Sequence, residues 1–474
     1  MSRLRTQGMR RIATWFLAIA LLLYPAAALA ADPATGPGAE ESAEASEPET
    51  PAPEPERTEA EAAQEEEAAL KDELLEQEKP EPEDRPVPAI DPEGWSYRWN
   101  NGSDLVRNDG RFELLFGGQV QYEGAAFHLD DGLKQTDGEG WDSDSDFRRL
   151  RAYVQGFAFD HFLFKVSYDF EDEELKDLYA GVRGLGPLGA VQGGYMKEPF
   201  SLEQATSLRY TTFLERSLAN ALAPGRNTGV LATSTHFERR LRWATGVFFL
   251  NESLGETDGS VEGLENDWEI ATRVNWVPVS REDGRRLVMA GCSYSHIFSD
   301  ASGLTIGQRP ESRLVPKLVK TPEIPGIEGG DRFGVELAWL EGSLSLQAEA
   351  IGLNISREQG FSDLFFWGGY AQVSYFLTGE RRIYGRASGV FGRVIPKNPF
   401  RPFARQWGAF QVAARVSMLD LNDAEIRGGQ ELNFTLGLNW YLLSNLRLSA
   451  NYVHGRVFGQ GDVDILQTRL QVDF

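Results

Sequence analysis

The chain ends in ILQTRLQVDF (residues 465–474), ten residues that alternate strictly to the last position. Leu466, Thr468, Leu470, Val472 and Phe474 fall on one side of an extended strand. Gln467, Arg469, Gln471 and Asp473 fall on the other, because strand side chains point to opposite faces with period two. Chain ends usually fray into polar tails, yet this one stops inside an amphipathic strand on a bare phenylalanine. Such a strand either caps a soluble sheet or closes a barrel that has lipid on one side and water on the other.

Working back from the end, the same texture repeats. In ELLFGGQVQYEG (113–124) Leu114, Phe116, Val120 and Tyr122 oppose Gln119, Gln121 and Glu123. In FLFKVSYDF (162–170) Phe162, Phe164, Val166 and Tyr168 oppose Lys165, Ser167 and Asp169. WEIATRVNW (268–276) and LNFTLGLNWYL (432–442) behave alike. From about Gly110 onward sixteen to eighteen such runs follow one another. The connections fall into two kinds. FDHF (159–162), LGPLG (185–189), LEGS (340–343), LTGER (377–381) and LLSN (442–445) are short and carry turn chemistry. Residues 128–146, 250–267 and 298–332 are long, polar and rich in Gly and Asp.

A soluble sandwich explains alternation but gives no reason for short turns at one rim and long loops at the other. An outer-membrane barrel does. Lipid cannot satisfy a backbone N–H or C=O, so a spanning sheet has no free edge and its first strand pairs with its last. That requirement explains a pattern kept to the final residue. Trp268, Trp276, Trp339, Trp367 and Trp440, near strand ends, suit interfacial girdles. The fold expected is all-β: a transmembrane up-and-down antiparallel β-barrel of about 16 strands, preceded by an acidic disordered segment and large enough to leave an aqueous channel.

The leading segments read differently. Residues 1–30 join Arg3, Arg5, Arg10 and Arg11 to an apolar stretch ending in Ala28-Leu29-Ala30, a secretory signal peptide that exports the protein to the outer membrane of a Gram-negative envelope. Residues 31–95 are rich in Pro, Glu and Ala and read as a solvated low-complexity tether, with a possible short helix over 59–79. Of the net charge of −24, residues 31–90 carry more than half, with 20 acidic and 4 basic side chains. Nucleic acid is excluded as a partner, since phosphate backbones demand a basic field. The single Cys292 excludes a disulfide framework or a cysteine metal cluster. Neither a metal nor a cofactor is expected. The five histidines, His128, His161, His236, His296 and His454, accompany no G-x-S-x-G nucleophile motif, which argues against an enzyme.

One stretch departs from strand patterning: YMKEPFSLEQATSLRYTTFLERSLANALAPGRNTGVLA (195–232), too long for a turn and marked by Pro199 and Pro224. In KEPFSLEQATS, TTFLERSL and APGRNTGV it resembles the phosphate-selective porin O/P family. With FRRLRAYVQGFAFDHFLFKVSYDFE (147–171) and the terminal Phe474, the resemblance spans roughly residues 110–474. It implies a sixteen-stranded barrel over 96–474, a homotrimer in outer-membrane lipid, and a loop at about 197–226 folded into the pore. It also implies passive diffusion of small solutes, anions such as phosphate foremost. Carried over by position, Arg209 falls where the constriction loop bears a basic residue, with Lys197 and Arg216 nearby and Arg226 at the loop's exit. From the wall, alternation turns Arg149, Arg151, Lys165, Arg183 and Arg273 inward, together with Glu123, Asp169, Asp177 and Glu269. Rings of Arg and Lys are how anion pores select. Two alternatives stand beside this reading: a non-selective porin, and a structural barrel whose acidic arm ties it to the cell wall.

Overall fold

The structure, a computed structural model, describes residues 94–474 apart from 100–101, 135–140, 251–260, 265–266 and 300. The signal peptide and nearly all of the acidic segment lie outside the described residues. In chain order the strands begin with β1 (Trp95–Trp99), β2 (Ser103–Arg107), β3 (Phe112–Leu129), β4 (Asp142–Ala158), β5 (Phe162–Asp169) and β6 (Glu174–Arg183). Then come β7 (Ala190–Lys197), β8 (Arg226–His236), β9 (Leu241–Phe249), β10 (Val261–Glu262), β11 (Trp268–Arg281) and β12 (Arg286–Phe298). Next are β13 (Gly303–Gln308), β14 (Val319–Lys320), β15 (Ile324–Pro325), β16 (Ile327–Glu341), β17 (Leu344–Arg357) and β18 (Leu364–Phe376). The series ends with β19 (Tyr384–Gly385), β20 (Val390–Phe391), β21 (Ala409–Asp423), β22 (Ile426–Leu443), β23 (Leu446–Val457) and β24 (Gly461–Asp473). One short helix, α1 (Leu202–Ala205), lies between β7 and β8.

Sixteen of these strands pair antiparallel in sequence order, and β24 returns to β3, so the sheet closes on itself. The closing register runs from Val463 opposite Leu129 to Asp473 opposite Gln119. Phe474 completes it: its N–H donates to the Gly118 carbonyl at 2.9 Å, and its carbonyl accepts from the Gly118 N–H at 2.6 Å. Gly118 is required there, because a Cβ would stand 2.8 Å from the Arg151 carbonyl oxygen of the neighbouring strand and 2.7 Å from the Phe474 ring. A barrel with every backbone edge paired is what a lipid environment demands.

Burial is inverted relative to a soluble protein. On the last strand Leu466 and Leu470 are 52% and 43% exposed, whereas Gln467 and Arg469 are 3% and 1% exposed. Phe116, Val166, Val247, Trp276, Val416 and Leu438 are likewise exposed, while Gln121, Glu269, Arg273, Glu336, Arg415 and Asn439 are buried. Apolar groups outside and polar groups inside are stable only if the outside meets hydrocarbon. No helix among the described residues is long and apolar enough to cross a membrane. Of the five tryptophans expected in girdles, Trp268 and Trp276 are exposed and Trp440 stacks on Phe410 at 5.5 Å, but Trp367 is buried.

The rims correct two expectations. Both described chain ends lie at one rim, where β4–β5, β16–β17 and β22–β23 join through two to three residues; this is the periplasmic rim by the layout of such barrels. LTGER, however, does not close a turn there: it opens residues 377–408, a long connection from β18 to β21. Its local chemistry is that of a turn, but the next patterned run starts only at Ala409. At the opposite rim, β21–β22 and β23–β24 are also joined tightly, so length does not separate the rims cleanly. The ring itself begins at Phe112; the pair β1–β2 precedes it and extends β3 at the periplasmic rim.

Candidate functional site

Residues 198–225 connect β7 to β8 and pack among the inward-facing side chains of the wall. Ser201 starts α1, and its hydroxyl accepts from the Gln204 N–H at 3.1 Å. Across the lumen Glu349 of β17 accepts from the Leu202 and Glu203 N–H groups at 2.8 and 2.7 Å and from the Ser201 hydroxyl at 2.6 Å. At the other end Lys197 Nζ donates to the Gln204, Ala205 and Thr206 carbonyls at 2.7, 3.2 and 3.3 Å. A carboxylate thus caps the unpaired N–H groups and an ammonium the unpaired carbonyls, the arrangement helix ends favour. Wall glycines let the segment approach closely: a Cβ at Gly334 would lie 3.1 Å from the Phe200 ring, and one at Gly437 3.1 Å from that of Phe213.

Ion pairs pin the rest of the segment. Arg415 of β21 reaches Glu203 at 3.1 Å and Glu311, from residues 299–326, at 2.5 Å. Arg469 of the closing strand holds Glu123 and Glu215 and donates to the Leu214 carbonyl. Arg148, beside a bulge in the β3–β4 register, donates to both oxygens of Glu215 at 2.9 and 3.2 Å. Burial pushes a carboxyl up, but the Arg148 and Arg469 guanidinium groups outweigh it and hold Glu215 well below the usual carboxylate range. A depressed folded pKa means stabilisation that is complete above the unfolded glutamate value of about 4.3 and lost as pH falls from there through the folded value. The stability deficit of Glu215→Gln is therefore expected to stay constant between pH 8 and 5 and to shrink on further acidification. Thermal unfolding in detergent followed by gel mobility checks this; a deficit that grows in acid contradicts it.

On the β3–β8 side of the lumen these contacts leave a cavity of about 230 Å³. Arg151, Lys165, Lys197, Arg226 and, from the connecting segment, Arg209 all line it. Arg151 meets Asp169 at 2.9 Å, and Asp177 sits between Arg226 at 3.1 Å and Lys165 at 3.5 Å. Arg209 donates to the Tyr153 hydroxyl at 3.2 Å and lies over the Tyr153 and Tyr210 rings at 5.2 and 5.1 Å. Lys165 approaches the same Tyr153 ring at 5.4 Å. Five cations and Asp177 thus line one cavity, with Asp169 paired to Arg151 behind it.

The other candidates lie elsewhere. Arg149 is buried and donates to Gln121 at 3.2 Å, next to the cavity rather than on its lining. Arg216 donates to the Glu203 and Gln204 carbonyls at 3.2 and 3.3 Å, bracing its own segment. Arg183 donates to the Asp160 carbonyl at 2.7 Å and lies over the Phe157 ring at 4.0 Å, at the periplasmic rim. Arg273 forms a two-point pair with Glu336 and reaches the Gly389 carbonyl at 2.9 Å.

That last contact reveals residues the alternation argument missed. Residues 377–408 enter the lumen, where Arg382 donates to Gln347 at 2.8 Å and lies over the Phe391 ring at 3.4 Å. Arg393 pairs with Asp473 of the closing strand and donates to the Ser444 carbonyl at 2.6 Å. The signal was present in LTGERRIYGRASGVFGR (377–393), whose four arginines show no period-two order. Tyr153, Tyr179 and Met196, which also line the cavity, carry no mark in sequence that separates them from ordinary wall residues. Among the histidines, His296 and His454 bond Asp331 and Asp464 and are half exposed, and His236 accepts from Trp243.

A closed sixteen-stranded barrel, apolar outside and charged within, defines an outer-membrane porin. The model of the family described as phosphate-selective porin O and P matches residues 120–474, and the chain belongs to that family. It is 23% identical over 418 residues to Porin O of Pseudomonas aeruginosa, covering 79% of this chain and 91% of that protein. An uncharacterized protein of Caulobacter vibrioides is 26% identical over 363 residues, 75% of this chain and 70% of the relative. Among solved structures, a loop L8 deletion mutant of OmpT, an outer membrane protein of Vibrio cholerae, superposes with a TM-score of 0.50 at 13% identity. It covers 77% of this chain and 100% of that one, a likeness of fold alone. The protein is an outer-membrane porin of the Gram-negative type.

Proposed function

We propose that this porin passes small anions, phosphate among them, by passive diffusion, with residues 198–225 folded inward to narrow the pore and the cavity beside them as its selective stretch. The observation that carries the reading is the convergence of Arg151, Lys165, Lys197, Arg209 and Arg226 on one cavity. They come from β4, β5, β7 and β8, close neighbours in the wall, and from the connecting segment, so consecutive strand pairing and the path of that segment gather them. Cations held by a wall and a tethered segment cost no reorganisation as an ion arrives, and they offset part of what the ion loses in shedding water. Asp177 works against multiply charged anions, because its own charge repels them and it already pairs with Arg226 and Lys165. The family's own description names phosphate. A trimer in the membrane plane is part of the same proposal.

The test is reconstitution into planar bilayers with a salt gradient. A reversal potential of the sign set by the anion, and a chloride current that phosphate reduces when added to one side, are expected. A reversal potential near zero favours the non-selective reading, and one of cation sign rejects the cavity as the selective stretch.

A further inference from the structure

The antiparallel pair β1–β2 takes no part in closing the ring. It occupies the stretch of β3 that the closing strand leaves free: β24 and Phe474 reach down β3 only to Gly118, and β2 continues from Phe116 to Glu113. Register settles which way its side chains point. Ser103 lies opposite Phe116 and Leu105 opposite Leu114. Trp99, Tyr97 and Trp95 in turn lie opposite Ser103, Leu105 and Arg107. Directly opposed residues share a face, and Phe116 is on the exposed outer surface of the barrel. The three aromatic residues of β1 therefore continue that surface beyond the ring.

They are 52%, 60% and 59% exposed, while the opposite face of the pair is mostly polar, with Asp104 buried and Arg98 exposed to water. There Asp104 is 2% exposed and takes Arg98 at 3.4 Å, and Ser96 bonds Asn108. The aromatic surface is continuous with the barrel. Trp95 stands 6.2 Å from Phe112, Phe112 stands 4.7 Å from Phe159, and Phe159 stands 6.5 Å from Phe162. Arg107 lies over the Phe112 ring at 5.5 Å. Large exposed aromatics in water forfeit the burial that makes them useful. Trp and Tyr with neighbouring arginines are instead the chemistry of the headgroup level, where a ring sits at the apolar edge and its polar atom stays wet.

We propose that β1–β2 is a membrane-interface anchor. Its Trp95, Tyr97, Trp99 face lies in the headgroup region of the periplasmic phospholipid leaflet. The ligand is the lipid surface itself, argued from continuity with the face the barrel already turns to lipid.

Cys292 is the chain's only cysteine and is exposed on the outer face of β12, so a nitroxide on it gives the hydrocarbon reference. In a Cys292→Ser background, Asp109→Cys gives the aqueous reference and Ser103→Cys reports on the pair. In phosphatidylethanolamine–phosphatidylglycerol vesicles, collisions with oxygen relative to a water-soluble nickel chelate are measured on protein whose heat-modifiable gel mobility shows a closed barrel. The Ser103 label is expected to show a ratio severalfold above that at position 109 and below that at 292. Adding Trp95→Ser, Tyr97→Ser and Trp99→Ser is expected to bring it down to the value at 109. A Ser103 ratio equal to the aqueous reference overturns the proposal, as does one that the three serines leave unchanged. Spin–spin broadening between Ser103 labels of neighbouring copies also overturns it, since a second copy would then cover the face. Conductance is not the readout, so a failure here leaves the anion reading standing.

Discussion

Replacing Arg209 by glutamate is expected to lower the anion-to-cation permeability ratio roughly tenfold. The side chain lines the cavity and is only partly buried, so the barrel accommodates the exchange. Arg209→Glu changes the local charge by two units; at about 5 Å from a passing ion, even in a fully water-like medium, that amounts to between 1 and 2 kcal/mol. A difference of about 1.4 kcal/mol is tenfold in occupancy. Reversal potentials in a potassium chloride gradient give the ratio directly. Arg216→Gln supplies the control, because Arg216 bonds the carbonyls of its own segment and lies outside the cavity lining. A ratio that Arg209→Glu leaves unchanged removes the cavity from the conduction path.

Arg415→Met is expected to be the most destabilising single change in the lumen. Arg415 is 1% exposed, joins Glu203 and Glu311, donates to the Glu215 carbonyl at 3.1 Å and lies over the Phe213 ring at 4.4 Å. Two long connections are thus tied to β21 through one guanidinium. Removing one partner of a buried ion pair leaves its carboxylate uncompensated, at about 3–5 kcal/mol. Ser417 and Thr435 continue to bond Glu311, so the loss falls on its charge rather than on all its hydrogen bonds. The thermal midpoint in detergent is expected to fall, and single-channel current to become noisier as residues 198–225 loosen. Adding Glu311→Gln is expected to restore part of the stability, because that replacement removes the stranded charge. A single variant as stable and as quiet as the native barrel contradicts this account of the lumen.

How much of this was legible beforehand differs from element to element. Alternation in residues 465–474 assigned Leu466 outward and Arg469 inward, and the same argument held for Lys165, Glu269 and Arg273. The departure from patterning at 195–232 marked the connection between β7 and β8, and five of the nine candidate cations line the cavity beside it. Arg183 separates from them because inwardness is not depth, whereas Arg216, on the connecting segment, turns to that segment's own carbonyls. A residue at the periplasmic rim and one at the cavity share parity and differ only in height along the strand. LTGER misled for a related reason: five residues of turn chemistry do not reveal that the chain then enters the lumen before returning to the wall.

The sequence by itself determined the strand-built closed barrel, its greasy and wet faces, and the stretch that abandons the wall. Each of these is written in a local period of two, or in its interruption, and a local period needs no knowledge of distant partners. Which charge meets which was decided only by the tertiary structure. Arg469 finds Glu123 across 346 residues of chain, Arg415 finds Glu203 across 212, and Arg393 finds Asp473 only because the ring has closed and residues 377–408 have entered it. In a lumen where every carboxylate has several cations within reach, pairing follows from strand register and from the paths of the long connections. Both are properties of the closed sheet rather than of any segment in it.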